Sequence, residues 1–518
     1  MIDVDKIKPI SALIRAQAEQ RPDKMAFADR NRRITFAELD TETENLAKGL
    51  RALGLEPGDN VAVLLPNSVD QVVSMLGIVR AGLTCMAMPY DAVAKEVAFK
   101  MTDAETRTII TRAGRRELLA GLEEVPIDTV LVTDKPKDAE LPFREIVATP
   151  RDIELPVEDL QALAFLGYTS GTTGNPKGVQ LRSYSAVYMN AGCMAPILGL
   201  SDRDVMVCPL PLLHAFALFC CVIPTVAQGA STYIIGRFTP GEMVKRIAEE
   251  KATVAFGVPT MYHHMLLHAE EHGLSDLSSL RFCMSAGAPL GPALFNKFQE
   301  ELGVPLLDGF GSTETAGQAT INWLGGKRVP GSCGIPILGV MVRVVDPETG
   351  VDKSYGEEGE MIVRGPNLMT GYHKRPEDTA RALRGGWYHT GDLARYDRDG
   401  YLTVTGRLKE IIIRGGQNIA PVEIEECVLQ MPGVRDCAVA GIPDEEMGEV
   451  PAVFVIGHEG KPAPTHSEIV DWCTSRLTPY KIPSISMAVP EIPRTPSGKV
   501  KRFLLVEAYE KQGLEAEA

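Results

Sequence analysis

Directly after the apolar run LAFL the chain reads Tyr168-Thr-Ser-Gly-Thr-Thr-Gly-Asn-Pro-Lys-Gly178. Gly171 and Gly174 let the backbone turn sharply and aim N–H groups at an anion. Thr169, Ser170, Thr172 and Thr173 add hydroxyl donors, and Lys177 adds positive charge. That combination makes a cradle for a polyphosphate. It is not a Walker loop, because the GxxxxGK[ST] spacing is absent and Lys177 is followed by Gly178. A flexible Ser/Gly linker is the competing reading, disfavoured by the hydrophobic strand before it and the lysine at its end. Two further residues suit phosphate chemistry. Glu314, in GFGSTET, is a suitable magnesium ligand, although a helix-start glutamate would look the same. Lys499, in PRTPSGK, has a Gly-Ser setting that lets an ammonium reach into a cleft; a lone lysine near a chain end is otherwise only solvated.

These segments resemble the adenylate-forming superfamily of acyl-CoA synthetases, peptide-synthetase adenylation domains and luciferases, whose signature loop is similar to YTSGTTGNPKG. Further matches follow in the family's order: PLPLLHAFAL at 209–218, SAGAPL at 285–290, GFGSTET at 309–315, GYHKRPEDT at 371–379, WYHTGD at 387–392, GRLKEIIIRGGQNIAPVEIE at 406–425 and PRTPSGKVKR at 493–502. So many segments in order are hard to obtain by chance. The resemblance implies two steps: a carboxylate attacks the α-phosphorus of ATP and pyrophosphate leaves, then the acyl group passes to a thiol.

The resemblance also implies roles. Glu314 holds the Mg2+ that bridges the phosphates and Thr313 meets the α-phosphate. Phe310 packs on adenine with the Gly287-Ala288-Pro289 turn and the Asp308, Gly309 and Gly311 backbone around it. Asp392 accepts the two ribose hydroxyls, a turn-stabilising carboxylate being the competitor. Arg407 contacts ribose and phosphate from the domain boundary, where a solvated linker arginine is the alternative. Lys499 bridges the attacking carboxylate and the α-phosphate. Because that lysine would obstruct a thiol approaching the same carbon, the C-terminal domain is expected to swing about Lys409. The swing presents Arg414, Gly415 and Gly416 to the pantetheine of coenzyme A; a tight structural turn is the rival for the glycine pair. His214 flanks the acyl pocket or thiol tunnel, or is a satisfied core histidine. One departure is recorded: a Thr-His pair common after the phosphate loop is replaced by Arg182-Ser183.

The expected acyl pocket comprises Phe216, Phe219, Thr260, Ala286, Ser312 and Gly334. Their apolar, mixed-size character suggests an aliphatic, aromatic or alicyclic acid. Asp308 could instead reach a polar group on the acid or cap a helix. Three functions compete: a carboxylate–CoA ligase, an adenylation enzyme that loads an acyl carrier protein, and a nucleotide-binding protein that has lost catalysis. Filled positions at Lys177, Glu314, Asp392, Arg407 and Lys499 speak against the third. An amino-acid-activating version usually keeps an Asp near HAFAL, where this chain has none.

The elements that must position these residues read as α/β. Short Val/Ile/Leu runs alternate with helical patterns over the first three-fifths of the chain. Thr35 and Glu38 form a capping box ahead of a helix whose Leu39, Leu46, Leu50 and Leu53 share one face. Strands are expected at 61–65, 162–166, 254–256, 282–285 and 305–307, with ligands beyond their carboxyl ends. The expected organisation is a large N-terminal domain, residues 1–406, made of α/β subdomains at about 1–160 and 161–325 and a β-rich subdomain at 326–406. A hinge at 407–409 then leads to a small, mobile α+β domain at 410–518. The length, 518 residues, demands several packed units, and 45% hydrophobic with 23% charged residues describes a loop-rich globular enzyme. A net charge of -15 argues against nucleic acid as partner. Ten cysteines without a CxxC pair read as reduced, mostly buried thiols. The uncharged stretch 205–227 contains Pro209, Pro211 and Pro224, which favours a buried element over a membrane span. The N-terminus resembles neither a secretory signal nor a transit peptide, so the cytoplasm is the expected location. A homodimer is compatible with this reading.

Overall fold

Thr35 opens the long helix Phe36–Ala52 by reciprocal bonds. Its hydroxyl accepts the Glu38 N–H at 3.2 Å, and the Glu38 carboxylate accepts the Thr35 N–H at 2.8 Å. Leu39, Leu46 and Leu50 are buried, but Leu53 is 41% exposed. Leu53 is the C-cap, so the helical period that would turn it inward has already ended. A second reciprocal box, Thr465 with Glu468, opens His466–Thr474. The computed structural model describes the chain apart from residues 123, 138, 170–175, 274–275, 416, 445, 459, 461, 495–498 and 517–518.

Among the described residues, two large sheets hold the first part of the chain. The eight-stranded sheet runs Gly371–Tyr372, Lys177–Arg182, Leu163–Thr169, Thr84–Ala87, Asn60–Val63, Thr108–Thr111, Thr129–Val132 and Leu141–Pro142. The nine-stranded sheet runs Ile335–Pro336, Gly317–Ile321, Leu306–Ser312, Phe282–Ser285, Val254–Gly257, Val205–Cys208, Ser231–Ile234, Met25–Ala28 and Arg33–Thr35. Their centres are parallel, with helices as crossovers. The chain trades elements across residue 160: Met25–Ala28 pairs with Ser231–Ile234, and the hairpin Leu163–Arg182 joins the sheet of residues 60–142. One apolar cluster includes side chains from both sheets, Val61 and Val63 together with Met206 and Phe256.

The stretch 205–227 becomes the strand Val205–Cys208 and then helical turns across 215–228 that include a π-helical segment, Leu218–Val222. Of these residues, Val222, Ile223 and Val226 are fully buried. No helix among the described residues is long and apolar enough to cross a membrane. All ten cysteines are buried.

Contacts divide the chain into two compact units, residues 1–342 with 363–388, and residues 343–362 with 389–518. The second holds most of an antiparallel sheet ordered Met341–Val345, Gly359–Arg364, Tyr388–Tyr396 and Leu402–Arg407. It also contains a five-stranded sheet built on the long hairpin Val434–Asp444 and Gly448–Gly457. Strand residues alternate between two small cores: Val439, Val453 and Val455 face the helices Pro421–Leu429 and His466–Thr474, while Ala438, Ala452 and Phe454 face Leu505.

Candidate active site

In the first unit, Leu163–Thr169 and Lys177–Arg182 are antiparallel partners, with Thr169 opposite Lys177. The intervening Ser170, Gly171, Thr172, Thr173 and Gly174 lie outside the described residues. The two ends of the loop are pinned. Tyr168 donates its hydroxyl to Asp103 Oδ2 at 2.7 Å, and Arg375 reaches the other oxygen of that carboxylate at 3.3 Å. Lys177 Nζ lies 3.0 Å from Asp378 Oδ2 and 5.2 Å from the centre of the Tyr372 ring. That ammonium holds the Asp378 carboxyl below its ordinary range.

Glu314 sits on the 3-10 turn Thr313–Thr315 and is 8% exposed, yet its carboxylate is not paired with a cation among the salt bridges described: Oε1 accepts the Tyr372 hydroxyl at 3.0 Å. The turn depends on small residues. A Cβ at Gly311 would fall 1.6 Å from the Gly317 carbonyl oxygen, and one at Gly167 would meet the Thr313 methyl at 3.0 Å. Thr313 therefore packs over the strand that leads into the phosphate loop.

Strand pairing brings the expected adenine residues together. Ser285 and Asp308 are register partners, so Ala286 to Pro289 leave their strand beside Asp308, Gly309 and Phe310. Gly287 takes φ of +89° in that turn. Asp308 is buried, its Oδ1 has no hydrogen-bond partner, and burial pushes its carboxyl well above the ordinary range. Phe310 is half-buried.

The expected acyl residues separate. Phe216 meets Phe256 edge to face at 6.0 Å, whereas Phe219 turns to Phe165 at 5.6 Å. Phe165, Gly167, Ala215, Phe219 and Thr313 line a small cavity of about 20 Å³. Ala286 is buried, Ser312 is half-buried and Thr260 is exposed at the start of the helix Pro259–His272. Gly334 is enclosed, because a Cβ there would fall 2.0 Å from the Ile321 carbonyl carbon. His214 is the half-buried N-cap of Ala215–Ala217.

In the second unit Asp392 and Arg407 face each other in antiparallel register and close a salt bridge at 2.7 Å. Behind them Glu360 receives both the His389 ring at 2.7 Å and the Gly391 N–H at 3.2 Å, which fixes the HTGD turn. Lys409 and Lys499 are exposed. Arg414 donates to the carbonyls of Tyr480 and Ile482 at 2.9 and 3.1 Å, Gly415 takes φ of +55°, and Gly416 lies outside the described residues. Tyr372, Asp378, Glu360 and His389 were not singled out from sequence; Tyr372, Asp378 and His389 stand inside GYHKRPEDT and WYHTGD, where only their motif context could have flagged them, and Glu360 lies outside both.

The profile of AMP-binding enzymes matches residues 14–373, and that of the AMP-binding enzyme C-terminal domain matches residues 423–499. The chain belongs to the AMP-binding enzyme family. A feruloyl-CoA synthase of Amycolatopsis sp is 34% identical over 93% of this chain and 96% of its own. A long-chain-fatty-acid–CoA ligase of Bacillus subtilis is 32% identical over 96% and 94%. The crystal structure of an anthranilate CoA ligase in complex with anthranoyl-AMP superposes with a TM-score of 0.92 at 28% identity, covering 98% of each chain. This AMP-binding enzyme is an AMP-forming acyl-CoA synthetase: ATP converts a carboxylic acid to its acyl adenylate, pyrophosphate leaves, and coenzyme A takes the acyl group.

Proposed function

We propose that this synthetase activates an apolar acid, aromatic, alicyclic or aliphatic, that carries no amine. Phe216, Phe256 and Ala286 offer hydrocarbon near the strand ends, and the HAFAL segment has no Asp to pair an ammonium. The observation that carries the nucleotide assignment is the juxtaposition of Lys177 and Glu314 around Tyr372. Lys177 and the loop before it take the β- and γ-phosphates, Thr313 the α-phosphate, and Phe310 with residues 287–289 the base. Asp392 takes the ribose hydroxyls and Arg407 supports it.

The residues fit Mg2+. Glu314 is a buried carboxylate answered by a neutral hydroxyl, so its charge remains available. No group of three or more His, Cys, Asp or Glu that could hold a metal occurs among the described residues. One carboxylate plus substrate phosphates is how Mg2+ is commonly held. When bound, the ion neutralises charge on the phosphates. Lys499 supplies positive charge to the attacking carboxylate and α-phosphate, and rotation about Lys409 exchanges it for the segment of Gly415. The domain limits proposed are 1–406 and 410–518, and the cytoplasm is the proposed location.

A panel of acids in a pyrophosphate-release assay, with and without coenzyme A, tests the reading. Aryl and alkyl acids should release pyrophosphate and form thioesters. Turnover confined to amino acids, or pyrophosphate release without thioester, would overturn it.

A further inference from the structure

Lys177 and Glu314 come from distant parts of the chain, yet one side chain touches both. The Tyr372 ring lies under the Lys177 ammonium at 5.2 Å and its hydroxyl donates to Glu314 Oε1 at 3.0 Å. The backbone around it is tied on both sides. Tyr372 is the register partner of Val179, the His373 N–H donates to the Gly178 carbonyl at 2.7 Å, and the Tyr372 N–H donates to Thr379 Oγ1 at 2.9 Å. Towards Glu314, the Met369 N–H donates to the Glu314 carbonyl at 2.8 Å. Asn367 Nδ2 donates to the carbonyls of Thr315 and Gln318 at 2.9 and 3.2 Å. The chain from Asn367 to Thr379 therefore staples the strand after the phosphate loop to the turn that carries Glu314.

We propose that Tyr372 is a positioning residue that sets Glu314 and Lys177 in one mutual geometry before the nucleotide arrives. The inference rests on the roles given above to those two residues. A neutral hydroxyl restrains the rotation of the carboxylate without cancelling its charge, which a cationic partner would do. The ring face attracts the ammonium without occupying its donors, so beside the one engaged by Asp378 others can meet phosphate oxygens. Both charged groups then meet the metal and polyphosphate already oriented, and less ordering is left to binding.

The test uses the full-length enzyme with Mn2+ as a paramagnetic stand-in for Mg2+. Free Mn2+ is followed by electron paramagnetic resonance in the presence of ATP, AMP binding without metal is measured by calorimetry, and melting temperature is recorded. Tyr372→Phe should weaken Mn2+ retention with ATP about tenfold while AMP affinity and melting temperature hold. Tyr372→Leu, which also removes the ring, should further weaken inorganic pyrophosphate binding about threefold. Glu314→Gln is the reference. If it weakens Mn2+ retention and Tyr372→Phe does not, the positioning role is overturned and the site reading stands. Should Glu314→Gln leave Mn2+ retention unchanged, the metal assignment falls and takes this inference with it. Equal loss of AMP and Mn2+ affinity in Tyr372→Phe would show a merely structural tyrosine and overturn the proposal.

Discussion

The charged pair Asp392–Arg407 and the charged pair Lys177–Asp378 look alike on a contact map but differ in construction. Asp392 and Arg407 are register partners in one hairpin, and the carboxylate is 6% exposed while the guanidinium is 36% exposed. Lys177 and Asp378 are joined across two hundred residues of sequence, and both are about a quarter exposed, at 25% and 23%. The hairpin closes its pair locally, so strand pairing alone sets the geometry and the aspartate is held at the mouth of a fixed turn. The first unit must import its counter-charges from a separate segment, and it leaves the lysine within reach of water and solutes. A local pair suits a hydroxyl-recognising fixture. An imported, half-open pair suits a lysine that has to change partners.

The most severe way to probe this contrast is at the exposed lysine of the second unit. Lys499→Ala should slow acyl-adenylate formation about a hundredfold or more, read as ATP–pyrophosphate exchange, while thioester formation from supplied acyl adenylate falls far less. An unchanged exchange rate would mean that Lys499 does not serve the first step. Next in size, Asp392→Asn removes an ionised acceptor from the local pair and should weaken AMP binding about tenfold, leaving pyrophosphate affinity untouched. If pyrophosphate binding fell equally, the loss would not be specific to the nucleoside.

The smallest effect concerns the other buried carboxylate of the first unit. Burial holds Asp308 above the ordinary carboxylate range, so the folded chain keeps a proton that the unfolded chain has released. Stability contributed by this group is therefore full below the unfolded value and declines as pH rises from there towards the raised value. Asp308→Asn should flatten that decline, seen as a smaller difference between urea midpoints at pH 5 and pH 7.5 than in the parent enzyme. Parallel pH profiles for the two proteins would count against a protonated Asp308.

What could be read from the sequence was what is local. The Thr35 capping box and the strand Phe282–Ser285 follow from residues within a few positions of one another. Helix Val69–Arg80 is buried all round, Gln71, Ser74 and Arg80 included, so no amphipathic face could mark its inner side. Leu53 failed because a period says which face a residue would take, not where the last turn stops. The exchange of Met25–Ala28 into the sheet of Ser231–Ile234 is invisible from spacing, since parallel pairing fixes no loop length. The same holds for the site. Lys177 and Glu314 announce themselves by type and setting, whereas Tyr372 shows its part only once two distant segments are folded on either side of it.

The interior position of every cysteine has a chemical corollary. An enzyme that handles coenzyme A works in the presence of a free thiol. With all ten of its own sulfhydryls withdrawn from solvent, sulfur exchange with that substrate has no accessible starting point, and handling in air without added reductant should not cross-link the protein to its acyl acceptor.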